Sequence, residues 1–249
     1  MKSVHAPPNS QIVLRRNGEE IACDLYSPEG RELLAALWLK VSAHNRRMYE
    51  PRWLGVQIIQ LPEDVVAMQE LIWKVRPDVI VETGIAHGGS LVLSASILEL
   101  IGEGRVIGID VDIRKHNREI IDAHPLRHRM ELIEGSSIDP TIVDRVRASV
   151  GDAKRVLVTL DSNHTAAHVA AELEAYAPMV TLDSYIVAMD GAQAHVGDIP
   201  AARPGWADDH PLQAIDQFLA RHPEFVVDPY YERMDITSSP GGFLRRVKS

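Results

Sequence analysis

Asp161, His164 and Asp190 have the types and spacing for proton and metal chemistry. Asp161 ends the apolar run Val156-Leu-Val-Thr-Leu-Asp161, with His164 three residues further on, and Asp190 ends a second run, Ile186-Val-Ala-Met-Asp190. If these runs are adjacent strands of one sheet, both carboxylates reach one crevice and can share a hard cation. Mg2+ suits such a pair, because it takes one or two carboxylates and keeps several waters. Bound there, it would lower the pKa of a substrate hydroxyl, and His164, whose ordinary pKa is about 6.5, could take the proton. For His164 alone, a residue that opens a helix without chemical duty is an equal reading. His168 lies one turn on, but His at i and i+4 without a Glu between them is not a zinc-protease motif, so His168 is read as structural. Asp208, Asp209 and His210 are read as solvated loop residues.

A second constellation is Asp78-Val-Ile-Val-Glu-Thr-Gly-Ile-Ala-His-Gly-Gly-Ser90. A β-branched run ends in Glu82, glycines follow at Gly84, Gly88 and Gly89, and an apolar stretch of helical length starts near Ser90. This is a buried strand, a tight turn and a helix N-terminus, the arrangement that brings backbone N–H groups and a carboxylate against a nucleoside-like cofactor. A dinucleotide site wants G-x-G-x-x-G and an acid about 20 residues later. Here the glycines are spaced Gly84-x-x-x-Gly88-Gly89, and the next strand-end acid, Asp110, lies beyond that distance. S-adenosylmethionine fits better. Asp110 can take both ribose hydroxyls, the turn from Gly84 through Gly88 to Ser90 packs on the amino-acid moiety, and Glu82 faces the methionine ammonium or orders water near it. Glu134-Gly-Ser-Ser137 leaves the third strand at the same edge, so Ser136 is placed at the adenine. A serine there is equally an N-cap before Pro140. For Glu82 or Asp110 taken singly, capping a strand end is the blander reading; two such acids on adjacent strands favour the cofactor.

The elements that must hold these groups follow from periodicity. Strand-like runs at Asp78–Glu82, Arg105–Asp110, Met130–Ile133, Arg155–Asp161 and Tyr185–Asp190 alternate with helix-like stretches at about 89–101, 114–123, 140–150 and 164–177. Such alternation implies a parallel sheet covered on both faces. Pro28 to Met48 reads as a helix, and Pro62 opens another. Asp216–Arg221 reads as a further helix, with Phe225–Val227 and Phe243–Val247 as closing strands. Gly191 to Pro211 has no period, and a loop of that length suggests an active-site lid.

The formal net charge of −9 excludes a phosphate-tracking surface, so no nucleic-acid partner is expected, and the acceptor is expected to be neutral or cationic. No apolar run is long enough to span a membrane, and Met1 to Ser10 lacks the apolar segment of a signal peptide. Cys23 is the single cysteine, so a reducing cytoplasm is the expected location.

Taken in order, Trp53-Leu-Gly55, Asp78-Val-Ile-Val-Glu-Thr-Gly84, Gly88-Gly-Ser90, Gly135-Ser-Ser137, Leu160-Asp-Ser162 with His164, and Pro240-Gly-Gly-Phe-Leu-Arg245 resemble the cephalosporin hydroxylase/rhamnosyl O-methyltransferase family. The resemblance runs from about residue 50 to the C-terminus. It implies a Rossmann-like class I methyltransferase fold: an α/β protein with a mostly parallel seven-stranded sheet and helices on both faces. Residues 1–60 then form an N-terminal helical extension, and 61–249 the domain that binds S-adenosylmethionine. It further implies O-methylation of a small-molecule hydroxyl, such as a sugar, in natural-product tailoring, by a homo-oligomer that uses Mg2+. Asp161 matches the metal-binding Asp, His164 the general base, and Asp190 the second acid of an adjacent pair. The first acid of that pair is Met189 here, and Mg2+ does not accept a thioether. Either Asp161, Asp190 and waters suffice, with Gln193 near, or the protein works without metal. A non-catalytic S-adenosylmethionine binder that supports a partner enzyme is the alternative reading, and a nicotinamide-dependent oxidoreductase is disfavoured by the glycine spacing.

Overall fold

The computed structural model describes residues 4–248. The chain opens with an antiparallel hairpin, Gln11–Arg16 against Glu19–Asp24, turned by Asn17 and Gly18 at φ 51° and 84°. Helix α1 (Pro28–His44) follows; its Ser27 cap accepts a hydrogen bond from the Gly30 N–H at 3.0 Å, and Pro28 occupies the first turn, where no N–H is needed. The hairpin is absent from the sequence expectation, and α1 stops at His44 rather than Met48. A short pair, Arg52–Trp53 with Val56–Gln57, leads to α2 (Pro62–Val75).

The rest alternates as expected: β1 (Val79–Thr83), α3 (Gly89–Ile101), β2 (Arg105–Asp110), α4 (Lys115–Asp122), β3 (Met130–Glu134), α5 (Pro140–Val150), β4 (Val156–Leu160), α6 (Ala166–Tyr176), β5 (Tyr185–Ala188), α7 (Gln193–Val196), α8 (Pro211–Arg221), β6 (Phe225–Val227) and β7 (Phe243–Arg246). One seven-stranded sheet runs β6-β7-β5-β4-β1-β2-β3. β3, β2, β1, β4 and β5 are parallel, and β7 is antiparallel to both β5 and β6.

Buried strands alternate their apolar side chains between two layers. Ile80, Val106 and Leu157 pack with α2 and α3, while Val79, Val81, Ile107 and Val158 pack with α5, α6 and α8. Each fully buried aliphatic side chain of this kind contributes roughly 1.5–3 kcal/mol. This two-faced burial is why the strands read as continuous apolar runs. Chain order reverses between β1 and β4, which opens a crevice at the carboxyl ends of those strands. Register puts Thr83 beside Ile109 and Leu160, and Leu160 beside Ala188, so the residues that leave β1, β2, β4 and β5 share one edge. Among the described residues, no helix is long and apolar enough to cross a membrane.

Candidate active site

The turn after β1 is built by close backbone approach. Gly84 sits at φ 88° and donates its N–H to Ile109 O at 2.8 Å; a Cβ there would lie 1.9 Å from the Asp161 carbonyl oxygen. Only glycine accepts both that φ and that proximity. Gly88, at φ 90°, is the N-cap of α3, against the Ile121 side chain. Glu82 is 3% exposed, and its carboxyl accepts the Ser90 hydroxyl at 2.5 Å. Burial pushes that carboxyl up to about 7, with the Ser90 bond partly opposing the shift.

Asp110 holds the turn in shape. One carboxylate oxygen accepts the N–H groups of Ile85 and Ala86 at 2.9 and 3.1 Å, and the other accepts that of Asp112 at 3.1 Å. Two N–H groups expected to face a ligand are thus satisfied from within, although a carboxylate with three such donors keeps acceptor capacity. Ser136 lies half-buried at the exit of β3, where its carbonyl accepts the Asp139 N–H. The N-cap before Pro140 is Asp139, whose carboxylate accepts from Thr141 N at 2.8 Å, and not a serine.

Asp161 and Asp190 lie just past their strands rather than within them. Asp190 takes a left-handed backbone conformation, φ 61°, which an Asp tolerates better than most residues. His164 sits in the loop before α6, two residues short of the helix it was expected to open. Its Nε2 is 3.2 Å from Asp190 Oδ2, and ligand atoms of Asp161, His164 and Asp190 all lie within 4.8 Å of one another. Burial, then repulsion from Asp190, Glu82, Glu172 and Asp64, hold the Asp161 carboxyl well above the usual carboxylate range. Two converging carboxylates fit a hard divalent cation whose remaining ligands are waters. Met189, at the expected third acid, is buried, with its sulfur accepting the Ser239 hydroxyl at 3.4 Å.

His168 joins a hydrogen-bond cluster between two loops. Its Nε2 lies 3.2 Å from Ser137 Oγ and 3.1 Å from Ser162 Oγ, and Ser162 donates to the fully buried Glu172 at 2.7 Å. This cluster ties the loops after β3 and β4 together. Asp209 is exposed, as expected, and also accepts the Ala166 N–H at the start of α6, at 2.6 Å. That bond docks the 191–210 segment over the site.

A cavity of about 650 Å³ opens from His164 and Asp190. Its walls include Gln193 and Trp206 of the 191–210 segment, and Ala43 and Tyr49 at the exit of α1. Gln60 lines this cavity and also a small chamber shared by Glu82, Asp161 and Met189. Sequence periodicity gave no sign that the N-terminal segment or Gln60 reaches the site, because those contacts are long-range.

A family model described as rhamnosyl O-methyltransferase/CmcI matches residues 45–247. A rhamnosyl O-methyltransferase of Mycobacterium tuberculosis is 27% identical over 199 residues, covering 78% of this chain and 77% of that protein. Among solved structures, CmcI with Mg2+ and S-adenosylmethionine superposes with a TM-score of 0.58 at 20% identity, covering 80% of this chain and 78% of that one. MycE, a methyltransferase of the mycinamycin biosynthetic pathway in complex with Mg2+ and S-adenosylhomocysteine, gives 0.50 at 18% identity, over 97% and 68%. At these identities the structural likenesses speak for the fold.

Proposed function

The chain belongs to the rhamnosyl O-methyltransferase/CmcI family, and on that premise we propose that it is an S-adenosylmethionine-dependent O-methyltransferase acting on a small-molecule hydroxyl, a sugar hydroxyl foremost. The observation that carries this reading is the convergence of Asp161, His164 and Asp190 within 4.8 Å, at the mouth of a 650 Å³ cavity and beside the Gly84 turn. The sugar and natural-product assignments draw on what the relatives are called.

S-adenosylmethionine supplies a methyl group on a sulfonium that needs no further activation. Gly84, Gly88 and Ser90 would cradle its amino-acid end, with Glu82 toward the ammonium, Asp110 toward the ribose and Ser136 toward the base. Asp161 and Asp190 would hold Mg2+, whose charge would lower the pKa of the acceptor hydroxyl. In its cradle, S-adenosylmethionine would give its methyl carbon to the acceptor oxygen as the carbon–sulfur bond breaks and the electron pair returns to sulfur. Asp190 would orient the ring by accepting the His164 Nε2–H at 3.2 Å, which leaves Nδ1 as the nitrogen that takes the hydroxyl proton. The walls of the cavity hold the acceptor in line, the entropic part of the rate gain.

His164→Ala tests the assignment. Methyl transfer should fall by about 10²–10⁴-fold, while S-adenosylhomocysteine affinity by calorimetry stays within about twofold. Unchanged turnover would remove His164 as the base. Tight S-adenosylhomocysteine binding by the wild type with no transfer to any acceptor would favour the accessory-protein alternative.

A further inference from the structure

We infer that the acceptor carries an anionic oxygen group, a carboxylate or a phosphate ester, at the end remote from the hydroxyl that is methylated. The inference deepens the reading of the 650 Å³ cavity as the acceptor site and rests on it.

Besides His164, four charged side chains line the cavity: Asp190, Asp209, Arg46 and Arg203. Both acids have a partner within the protein. Asp190 contacts His164 at 3.2 Å, and Asp209 accepts the Ala166 N–H. The two guanidiniums have none among the described residues. The hydrogen bonds Arg46 and Arg203 make among the described residues run through the backbone, to Ala43 and from Tyr49 and Trp206. Many arginines of the described residues pair with carboxylates, as Arg105 does with Glu131 and Arg233 with Glu70; Arg46 and Arg203 are among those that do not, and they are the two arginines that line this cavity.

Arg46 and Arg203 also come from different segments. Arg46 has a left-handed backbone, φ 53°, where α1 turns into the chain that bears Tyr49; Arg203 stands on the 191–210 segment three residues before Trp206. Both aromatic residues line the same cavity and can cover the body of the acceptor. A guanidinium presents a planar fork that matches two oxygens of a carboxylate or phosphate. At the reacting end, the charges of Asp161 and Asp190 are met by the cation they would hold, so the two guanidiniums are the cavity's uncompensated cationic groups. The charge distribution therefore orients the acceptor, with the hydroxyl toward His164 and the anion toward the arginines. This replaces the expectation of a neutral or cationic acceptor drawn from net charge, because net charge says nothing of what lines one cavity.

The test uses the full chain with Mg2+ and methyl-labelled S-adenosylmethionine. Sugars and phenols are offered in matched neutral, carboxylate and phosphate-ester forms, and labelled products are separated on an anion exchanger. Label should appear in a charged arm, and the carboxylate and phosphate arms identify which group is read. With that acceptor, Arg46→Ala and Arg203→Ala should each raise KM by about tenfold, with kcat at saturation nearly kept and S-adenosylhomocysteine binding unchanged. Arg203→Lys should recover part of the loss, and Arg47→Ala, which does not line the cavity, should leave KM alone. Equal kcat/KM for neutral and charged partners would overturn the inference, as would unchanged KM in both alanine variants. No label in any arm, with S-adenosylhomocysteine still bound, would remove the acceptor-site reading itself and this inference with it.

Discussion

At the scale of single residues, burial of Glu82 gives a measurable signature. Folded, it keeps a proton to about pH 7 that the unfolded chain releases near 4.5. Between those values the folded state binds more protons than the unfolded, so stability falls as pH rises through the window and is level above it. Glu82 alone should cost the unliganded protein roughly 3 kcal/mol across that range. Asp64, pushed up to about 6 by burial, acts in the same direction. Glu82→Gln can still accept the Ser90 hydroxyl, so urea unfolding at pH 5 and pH 7.5 should show a shallower fall than in the wild type; an unchanged difference would mean that Glu82 is ionised throughout. Met189 makes the opposite case. Met189→Glu puts a charge where the sulfur is 3% exposed beside Ser239. It should lower stability by about 2–4 kcal/mol without metal, and Mg2+ should restore much of the loss in a thermal melt.

At the scale of elements, the exit of β1 is locked to the exit of β4 through Gly84. Gly84→Ala places a methyl 1.9 Å from the Asp161 carbonyl oxygen in a left-handed backbone. A loss of about 3 kcal/mol or more in denaturant unfolding is expected, with Asp161 displaced and methyl transfer lost before folding is. The sheet was legible in the sequence because runs such as Val79-Ile80-Val81 are buried on both faces and so read as continuous apolar stretches. The hairpin at 11–24 was not, although Asn17-Gly18 is a turn signal, because Arg15, Arg16, Glu19 and Glu20 hide any apolar face. The pairing of Asp161 with Asp190 could be read from strand ends. The 3.2 Å contact of His164 with Asp190 and the capping of α6 by Asp209 could not, since loop conformation decides both.

At the scale of the whole molecule, the large cavity joins the loops after β4 and β5 to the N-terminal segment. The family match begins at residue 45, so α1 stands outside it yet supplies Leu39 and Ala43 to the cavity wall. Acceptor choice is therefore the property expected to vary with the N-terminal segment, while cofactor binding stays fixed. Ala43→Trp fills that wall and should cut kcat/KM for the acceptor by about tenfold or more with S-adenosylhomocysteine affinity unchanged, read by steady-state kinetics beside calorimetry. The central claim, that one edge of the sheet joins an S-adenosylmethionine site to a carboxylate-held cation, is tested most directly by diffraction from crystals grown with S-adenosylhomocysteine and Mn2+. The predicted result is a nucleoside along the Glu82–Ser90 turn with Asp110 at its ribose, and an anomalous peak within ligand distance of Asp161 and Asp190. A nucleoside bound elsewhere, or no peak between those carboxylates at saturating Mn2+, would contradict it.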